Sequence, residues 1–215
     1  MSQLLSEVLD VTFRTLYISG LATVLSILWS LPAAYLLSFR QRAGLLEAVV
    51  ESLVGIPTTL LGLLLFMLFS SSGILGFLKL LYTPQAILIG QSILVTPILI
   101  STSYRVLREV VSPYFELALS LGASKIQAMA MILRESVAGI IASIIMSFSR
   151  AVGELGVAMM VGGNIKGFTR VLTTAIALGV TRGEFEAAII LGVILLALTI
   201  STAIAVKVLM RLMRS

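Results

Sequence analysis

The sequence predicts an all-α protein that crosses a membrane about five times. Of its 215 residues 59% are hydrophobic and only 12% charged, the mean hydropathy is +1.12, and the charges cluster between long apolar runs. A soluble domain is typically about 45–50% apolar and about 25% charged, so lipid rather than water suits this surface. A helical span needs about 20 apolar residues at a rise of about 1.5 Å each. Spans are expected at 14–38, 48–70, 84–104, 136–160 and 185–207, with the segment 105–135 as the long connection. The runs 15–39, 52–78, 80–104 and 187–206 contain no charged residue, whereas the fourth span is interrupted by Arg150 and Glu154. The piece 73–82 is too short for a sixth crossing.

Composition removes several function classes. With no cysteine and no histidine, disulfides, thiolate or imidazole metal sites, Cys nucleophiles and His acid–base catalysis are all excluded. The net charge of +5 has no aromatic-interleaved basic patch, so nucleic acid is not an expected partner. Glu7 and Asp10, without an early Lys or Arg, argue against a cleavable signal peptide. No sensing domain is expected beyond Ser215. No G-x-x-x-x-G-K-[ST] phosphate cradle occurs, so no cofactor is expected in this chain and any ATP-Mg would be held by another subunit.

Charge asymmetry orients the spans. Arg40, Arg42, Arg105, Arg108, Lys125, Arg134, Lys207, Arg211 and Arg214 fall on one face, against Arg14, Lys79, Lys166, Arg170 and Arg182 on the other. The positive-inside rule puts the larger set in the cytoplasm, the N-terminus outside and the C-terminus inside. Gly, Ala, Ser and Thr within the spans suit close helix packing in lipid. Pro32, Pro57 and Pro97 fall mid-span, where kinks are expected. Around Pro57 the run Gly55-Ile56-Pro57-Thr58-Thr59 sets two hydroxyls beside a break, and two readings stand: simple bending, or groups offered to a solute in a cavity.

The 105–135 connection has a pattern of its own. Ser112-Pro113 predicts a helix start, with Tyr114, Leu117, Ala118 and Leu121 on one stripe. Gly122 allows a left-handed stop, and Ser124 with Gln127 predicts a capping box that opens a second helix. Such an elbow docks in a groove of a soluble partner or lies on the lipid surface; spacing alone leaves both open.

The stretch Glu116-Leu-Ala118-Leu-Ser-Leu-Gly122, with Ile132 following after nine residues, resembles the EAA motif of ABC importer permeases. Leu117 stands for the first Ala of that motif, and Arg134-Glu135 for its terminal Leu-Pro. The resemblance, which covers roughly residues 10–210, implies the type I ABC importer permease (MetI-like) fold. It implies that Glu116, Ala118, Gly122 and Ile132 belong to a cytoplasmic coupling helix seated in an ATPase subunit. It further implies a homodimer in the cell membrane, served by two ATP-binding subunits and an extracytoplasmic substrate-binding protein.

A second stretch, 149–165 with 169–176, resembles the tungstate, molybdate and sulfate permeases, with Val161-Gly162-Gly163-Asn164-Ile165 and 170–176 nearest the tungstate type. Arg150 and Glu154 lie four apart and can face each other. They form either a structural ion pair or, with Pro57, Thr58 and Thr59, part of a translocation path in which Arg150 meets a passing oxyanion. Gly162-Gly163-Asn164 reads as an anion-binding turn or as a plain hairpin into the fifth span. Lys166, Arg170, Arg182, Glu184 and Glu186 read as docking charges or as solvated loop. Beside an oxyanion importer stand a permease for another solute and, from other classes, a self-sufficient channel or ion-coupled carrier and a structural scaffold. The single acid within a span and the lack of internal repeats weigh against a carrier.

Overall fold

The bundle packs through an interior of apolar side chains interleaved with small hydroxyl residues, while many large apolar side chains face outward. The computed structural model describes residues 2–40 and 44–212; Arg42 and Arg214 lie outside them. The helices are α1 (Ser2–Ser38), α2 (Gly44–Val54), α3 (Thr58–Phe69), α4 (Pro84–Ser120), α5 (Lys125–Val152), α6 (Gly156–Gly162), α7 (Leu172–Arg182) and α8 (Phe185–Leu212), with a 3-10 turn at Gly76–Leu78. No strand occurs among the described residues. α1, α4, α5 and α8 are each long and apolar enough to cross a membrane, and α2 with α3 makes a fifth crossing if the bent pair is one span.

α1 shows the principle. Thr15, Ser19, Ala22, Ser26, Ser30, Ala34 and Ser38, three or four residues apart, are all buried, while Phe13, Tyr17, Leu28 and Leu36 are exposed. Small residues let backbones approach closely in lipid, and buried hydroxyls donate back to their own helix. Thr15 Oγ1 donates to Val11 O at 2.7 Å and Thr23 Oγ1 to Ser19 O at 2.8 Å. α4 is the central helix, packed against α1, α2, α3, α5 and α6. Its first half joins Ile18, Leu61, Leu65, Val157 and Val161 in one core, and its second half joins Ala34, Ile132 and Ile140 in another. The apolar window of α8 is wholly unburied, as suits a helix facing lipid.

Three boundaries differ from expectation. The run 48–70 is two helices bent by 89°; Pro57 has no N–H to donate and holds Ile56 away from helical geometry. The helix start expected at Ser112-Pro113 is absent, because α4 runs unbroken through Pro97 and Pro113 to Ser120. An interior proline costs about 3 kcal/mol, but buried Val111 and the ring of Phe115, 5.3 Å from Phe39 just after α1, hold the segment in register. Finally, the run 136–160 is not one helix. α5 begins at Lys125 and ends at Val152, α6 follows a break, and α7 stands where a hairpin into the fifth span was one of the readings.

Glycines seat α3 on α6. A methyl group on Gly156 would stand 2.6 Å from Thr58 Oγ1 and 2.9 Å from Thr59 N, and one on Gly62 would stand 3.0 Å from Met160 Cβ. Around Gly192 on α8 there is nothing within 4 Å. Gly156→Ala is therefore expected to destabilise the protein by about 1–3 kcal/mol, as overpacking does, while Gly192→Ala leaves it unchanged or slightly better. Thermal unfolding of the two variants in one detergent checks the contrast.

Candidate functional site

The elbow between α4 and α5 is closed at both ends. Ala123 N donates to Ala118 O and Gly122 N to Leu119 O, each at 3.0 Å, the paired bonds of a Schellman stop. Gly122 has φ +89°, a conformation costly for any residue with a Cβ. Two residues on, Ser124 N donates to Gln127 Oε1 at 2.8 Å and Gln127 N to Ser124 Oγ at 3.3 Å, the expected capping box. Glu116 and Gly122 are exposed at this elbow, whereas Ala118 is buried and Ile132 is fully buried against α1 and α4. Tyr114, Leu117, Leu121 and Ile126 form an exposed apolar surface around the turn.

Far from the elbow, two helix breaks face each other. The α2–α3 break carries Pro57, Thr58 and Thr59; the α5–α6 break lies at 153–155, and Gly156 presses on Thr58 and Thr59. Arg150, in the last turn of α5, donates from Nη1 to Glu154 Oε2 at 2.8 Å, and the Glu154 side chain is only 2% exposed. The other carboxylate oxygen of Glu154 accepts from Val157 N at 3.0 Å, and its carbonyl accepts from Thr173 Oγ1 at 2.6 Å. Both charges suit the ends they occupy, a cation at a helix C-terminus and an anion at a helix N-terminus. Thr58 and Thr59 thus lie against Gly156, two residues from Glu154, and Arg150 keeps 38% of its side chain exposed.

Two partners here went unnoticed in the sequence. Gln91 Nε2 donates to Ala151 O at 3.1 Å, a carbonyl at the break that also accepts from Glu154 N at 3.2 Å, and Gln91 Oε1 accepts from Ser19 Oγ at 3.1 Å. The signal was an amide well inside a charge-free run, since a buried amide in lipid demands a partner. Thr173 gave no comparable signal, because α7 was not foreseen.

At the end remote from the elbow, the loop 163–171 spends its donors internally. Gly163 N donates to Met159 O and Ile165 N to Thr169 Oγ1, so these amides are not free for an anion. Lys166 Nζ and Arg170 Nη1 reach Glu7 of α1 at 2.7 and 3.2 Å. Arg182, Glu184 and Glu186 make no ion pair among the described residues, and Arg182 and Glu184 line a cavity of about 460 Å³ with Glu7 and Arg170. The two breaks hold hydroxyls, one partly exposed guanidinium and a carboxylate already occupied at both oxygens.

Apolar helices, broken in pairs around a polar centre and joined by a sharply turned elbow, have the build of a multi-pass membrane permease. The chain belongs to the family described as "Binding-protein-dependent transport system inner membrane component", whose profile matches residues 23–215. It is 37% identical over 193 residues to the tungstate uptake system permease protein TupB of Peptoclostridium acidaminophilum, covering 88% of this chain and 84% of that one. A "Probable anion ABC transporter permease protein" of Haloferax volcanii is 34% identical over 91% of this chain and 88% of its own. The sulfate transport system permease protein CysT of Salmonella typhimurium is 30% identical over 85% and 69%. Among solved structures, an amino acid ABC transporter matches with a TM-score of 0.68 over 98% of this chain and 96% of that one, at 19% identity. The fold is therefore the expected MetI-like one, and the resemblance to oxyanion permeases, nearest the tungstate type, is borne out.

The Arg150–Glu154 pair gives a sharp expectation. Arg150→Ala leaves a buried carboxylate with one backbone partner and should cost about 3–5 kcal/mol, as breaking a buried pair does. The double variant R150Q/E154Q should recover most of that loss. Thermal unfolding across the cycle, with both single variants, measures the coupling.

Proposed function

We propose that this chain is the membrane subunit of an ATP-driven oxyanion importer, with tungstate as its substrate. Two copies form the path, two ATP-binding subunits carry ATP-Mg below it, and an extracytoplasmic binding protein delivers the anion from above. The observation that carries this reading is the exposed apolar elbow at the end of a continuous span.

α4 supports docking over lying on lipid. Its charge-free part, residues 84–104, is about 31 Å long, close to the roughly 30 Å of a hydrocarbon core. Residues 105–120 add about 24 Å in the same helix. A helix that spans the bilayer does not also lie flat on its surface, so this extension projects into solvent with Glu116, Leu117 and Gly122 near its tip. In this reading Glu116, Ala118, Gly122 and Ile132 divide the labour. Glu116 and the tip meet the ATPase, while Ala118 and Ile132 lock the elbow onto the bundle. The charge count favours a cytoplasmic elbow and C-terminus with the N-terminus outside.

The substrate follows from the relatives and from the facing breaks. Arg150, Thr58 and Thr59 offer donors and positive potential to an anion, Glu154 fixes the guanidinium, and Pro57 keeps the threonines at the break. A symmetric dimer is the default assembly, and it gives the exposed side of Arg150 a water-lined path rather than hydrocarbon, where a charge costs about 2.5–3.5 kcal/mol or more. Lys166 and Arg170, pinned to Glu7, leave Arg182, Glu184 and Glu186 as the charges free to meet the binding protein.

Reconstituted with its ATPase and binding protein, the chain is expected to take up tungstate only with ATP. Glu116→Lys should reduce copurified ATPase at least about tenfold, the scale of one lost hot-spot contact, with membrane insertion unchanged. Uptake by this chain alone without ATP overturns the reading, and titration of the binding protein with tungstate, molybdate and sulfate tests the substrate.

A further inference from the structure

α1, α7, α8 and the loop 163–171 enclose the cavity of about 460 Å³ at the end remote from the elbow. The helices fix its depth. α1 and α4 run side by side in the same direction, bonded at Ser19–Gln91, Trp29–Thr96 and Ser38–Arg108. Gln91 lies about 10 Å along α4 from Pro84, where the charge-free run starts, and an equal length of α1 leads from Ser19 back to Thr12. Val11 therefore marks the edge of the hydrocarbon, and on α8 the charge-free run begins at Ala187. Val11 and Leu191 belong to one buried cluster and line the cavity from below, whereas Glu7 and Glu184 stand about one turn further out. The cavity thus straddles the boundary and reaches into the zone of about 5–8 Å that lipid headgroups occupy. Its charges are unequally used. Glu7 is taken by both Lys166 and Arg170. Arg182 at the end of α7 and Glu184 just before α8 flank Gly183, and neither makes an ion pair among the described residues. The lower wall is apolar, with Val8, Val11, Leu178 and Leu191. Beside Leu191, nothing stands within 4 Å of the position a methyl group on Gly192 would take, on a helix whose apolar window is unburied.

We propose that this cavity holds the headgroup of a membrane phospholipid that carries a primary ammonium, a phosphoethanolamine in chemistry. Its phosphate meets Arg182, its ammonium meets Glu184, and its acyl chains descend past Leu191 and Gly192 along α8. One uncommitted cation and one uncommitted anion in a single cavity call for a ligand with one charge of each sign. The depth calls for a ligand that is polar above and hydrocarbon below. A free phosphate ester leaves the apolar wall bare, and a trimethylammonium headgroup has no N–H to donate to Glu184. The volume lies in the range of small-molecule pockets, about 300–1,000 Å³. This assignment does not depend on the solute or on the energy source. In the importer reading above, the binding protein approaches the same face, so that protein and the lipid are rivals for Arg182 and Glu184.

The test uses the delipidated full chain in detergent, without ATPase or binding protein. It is titrated with phosphatidylethanolamine, phosphatidylcholine and phosphatidylglycerol of identical acyl chains, and with glycerophosphoethanolamine, which has the headgroup and no tails. Native mass spectrometry reads binding and thermal unfolding reads stabilisation. Phosphatidylethanolamine is expected to bind at least about tenfold more tightly than phosphatidylcholine, the scale of one charge-assisted hydrogen bond. The tailless headgroup should bind far more weakly than the lipid. Both side chains are exposed, so E184Q and R182Q should fold. E184Q should erase the preference between the two zwitterionic lipids, and R182Q should weaken both by about tenfold. Ala187→Phe fills the cavity without changing a charge and should remove the bound lipid with helical content unchanged. Equal binding of the two zwitterionic lipids, tighter binding of phosphatidylglycerol, tailless headgroup as strong as lipid, or lipid binding unchanged in all three variants each overturns the assignment. If no lipid binds while R182Q and E184Q weaken docking of the binding protein, the cavity belongs to that partner, and the importer reading stands while the lipid site falls.

Discussion

A carboxylate almost sealed from solvent holds a broken helix together. In hydrocarbon, an unpaired backbone or charged group costs several kcal/mol, so a helix can break only where protein groups take over the lost partners. Glu154 does this twice, once for the guanidinium of Arg150 and once for Val157 N–H. Gln91 takes Ala151 O, and Thr173 takes the carbonyl of Glu154 itself. Four helices are thereby committed to one spot: α5 and α6 as the broken pair, α4 through Gln91, and α7 through Thr173. α1 adds a fifth link through Ser19 to Gln91. At the second break Pro57 has no N–H to satisfy, and Gly55 N and Ile56 N donate to Ser52 O and Leu53 O. This break is packed directly on the first through Gly156.

Much of this was legible because it is local. Span number and type follow from hydropathy and length, the left-handed stop at Gly122 from the residue itself, and the capping box from Ser124 and Gln127 three apart. The Arg150–Glu154 contact follows from a four-residue spacing that survives even though the helix ends between them. What the residues concealed is long-range. Pro113 reads as a helix start in isolation, yet Phe39 and Val111, distant in sequence or hidden in the core, carry α4 through it. α7 reads as loop because its buried Thr173 and Thr174 look polar, and both spend their hydroxyls on backbone carbonyls. Lys166 and Arg170 look free until Glu7, some 160 residues earlier, is seen beside them.

α1 explains why hydropathy finds such helices but not their orientation around the axis. Apart from Val11 and Ile18, its inner face is Ser, Thr and Ala, and its outer face is rich in Leu, Phe and Tyr, so the usual inference that the more apolar side is the core points the wrong way. The signal to read is side-chain size. The same inversion leaves α8 with no buried face across its apolar window, although it is among the longest helices in the chain.

The four residues between α4 and α5 are bonded to the helix on each side, and no free segment lies between the Schellman stop and the capping box. A joint made this way has low compliance. A sideways force on its tip becomes torque about both helix axes instead of local bending, and stiffness, more than affinity, then sets how much of a nucleotide-driven stroke reaches the far side of the bilayer.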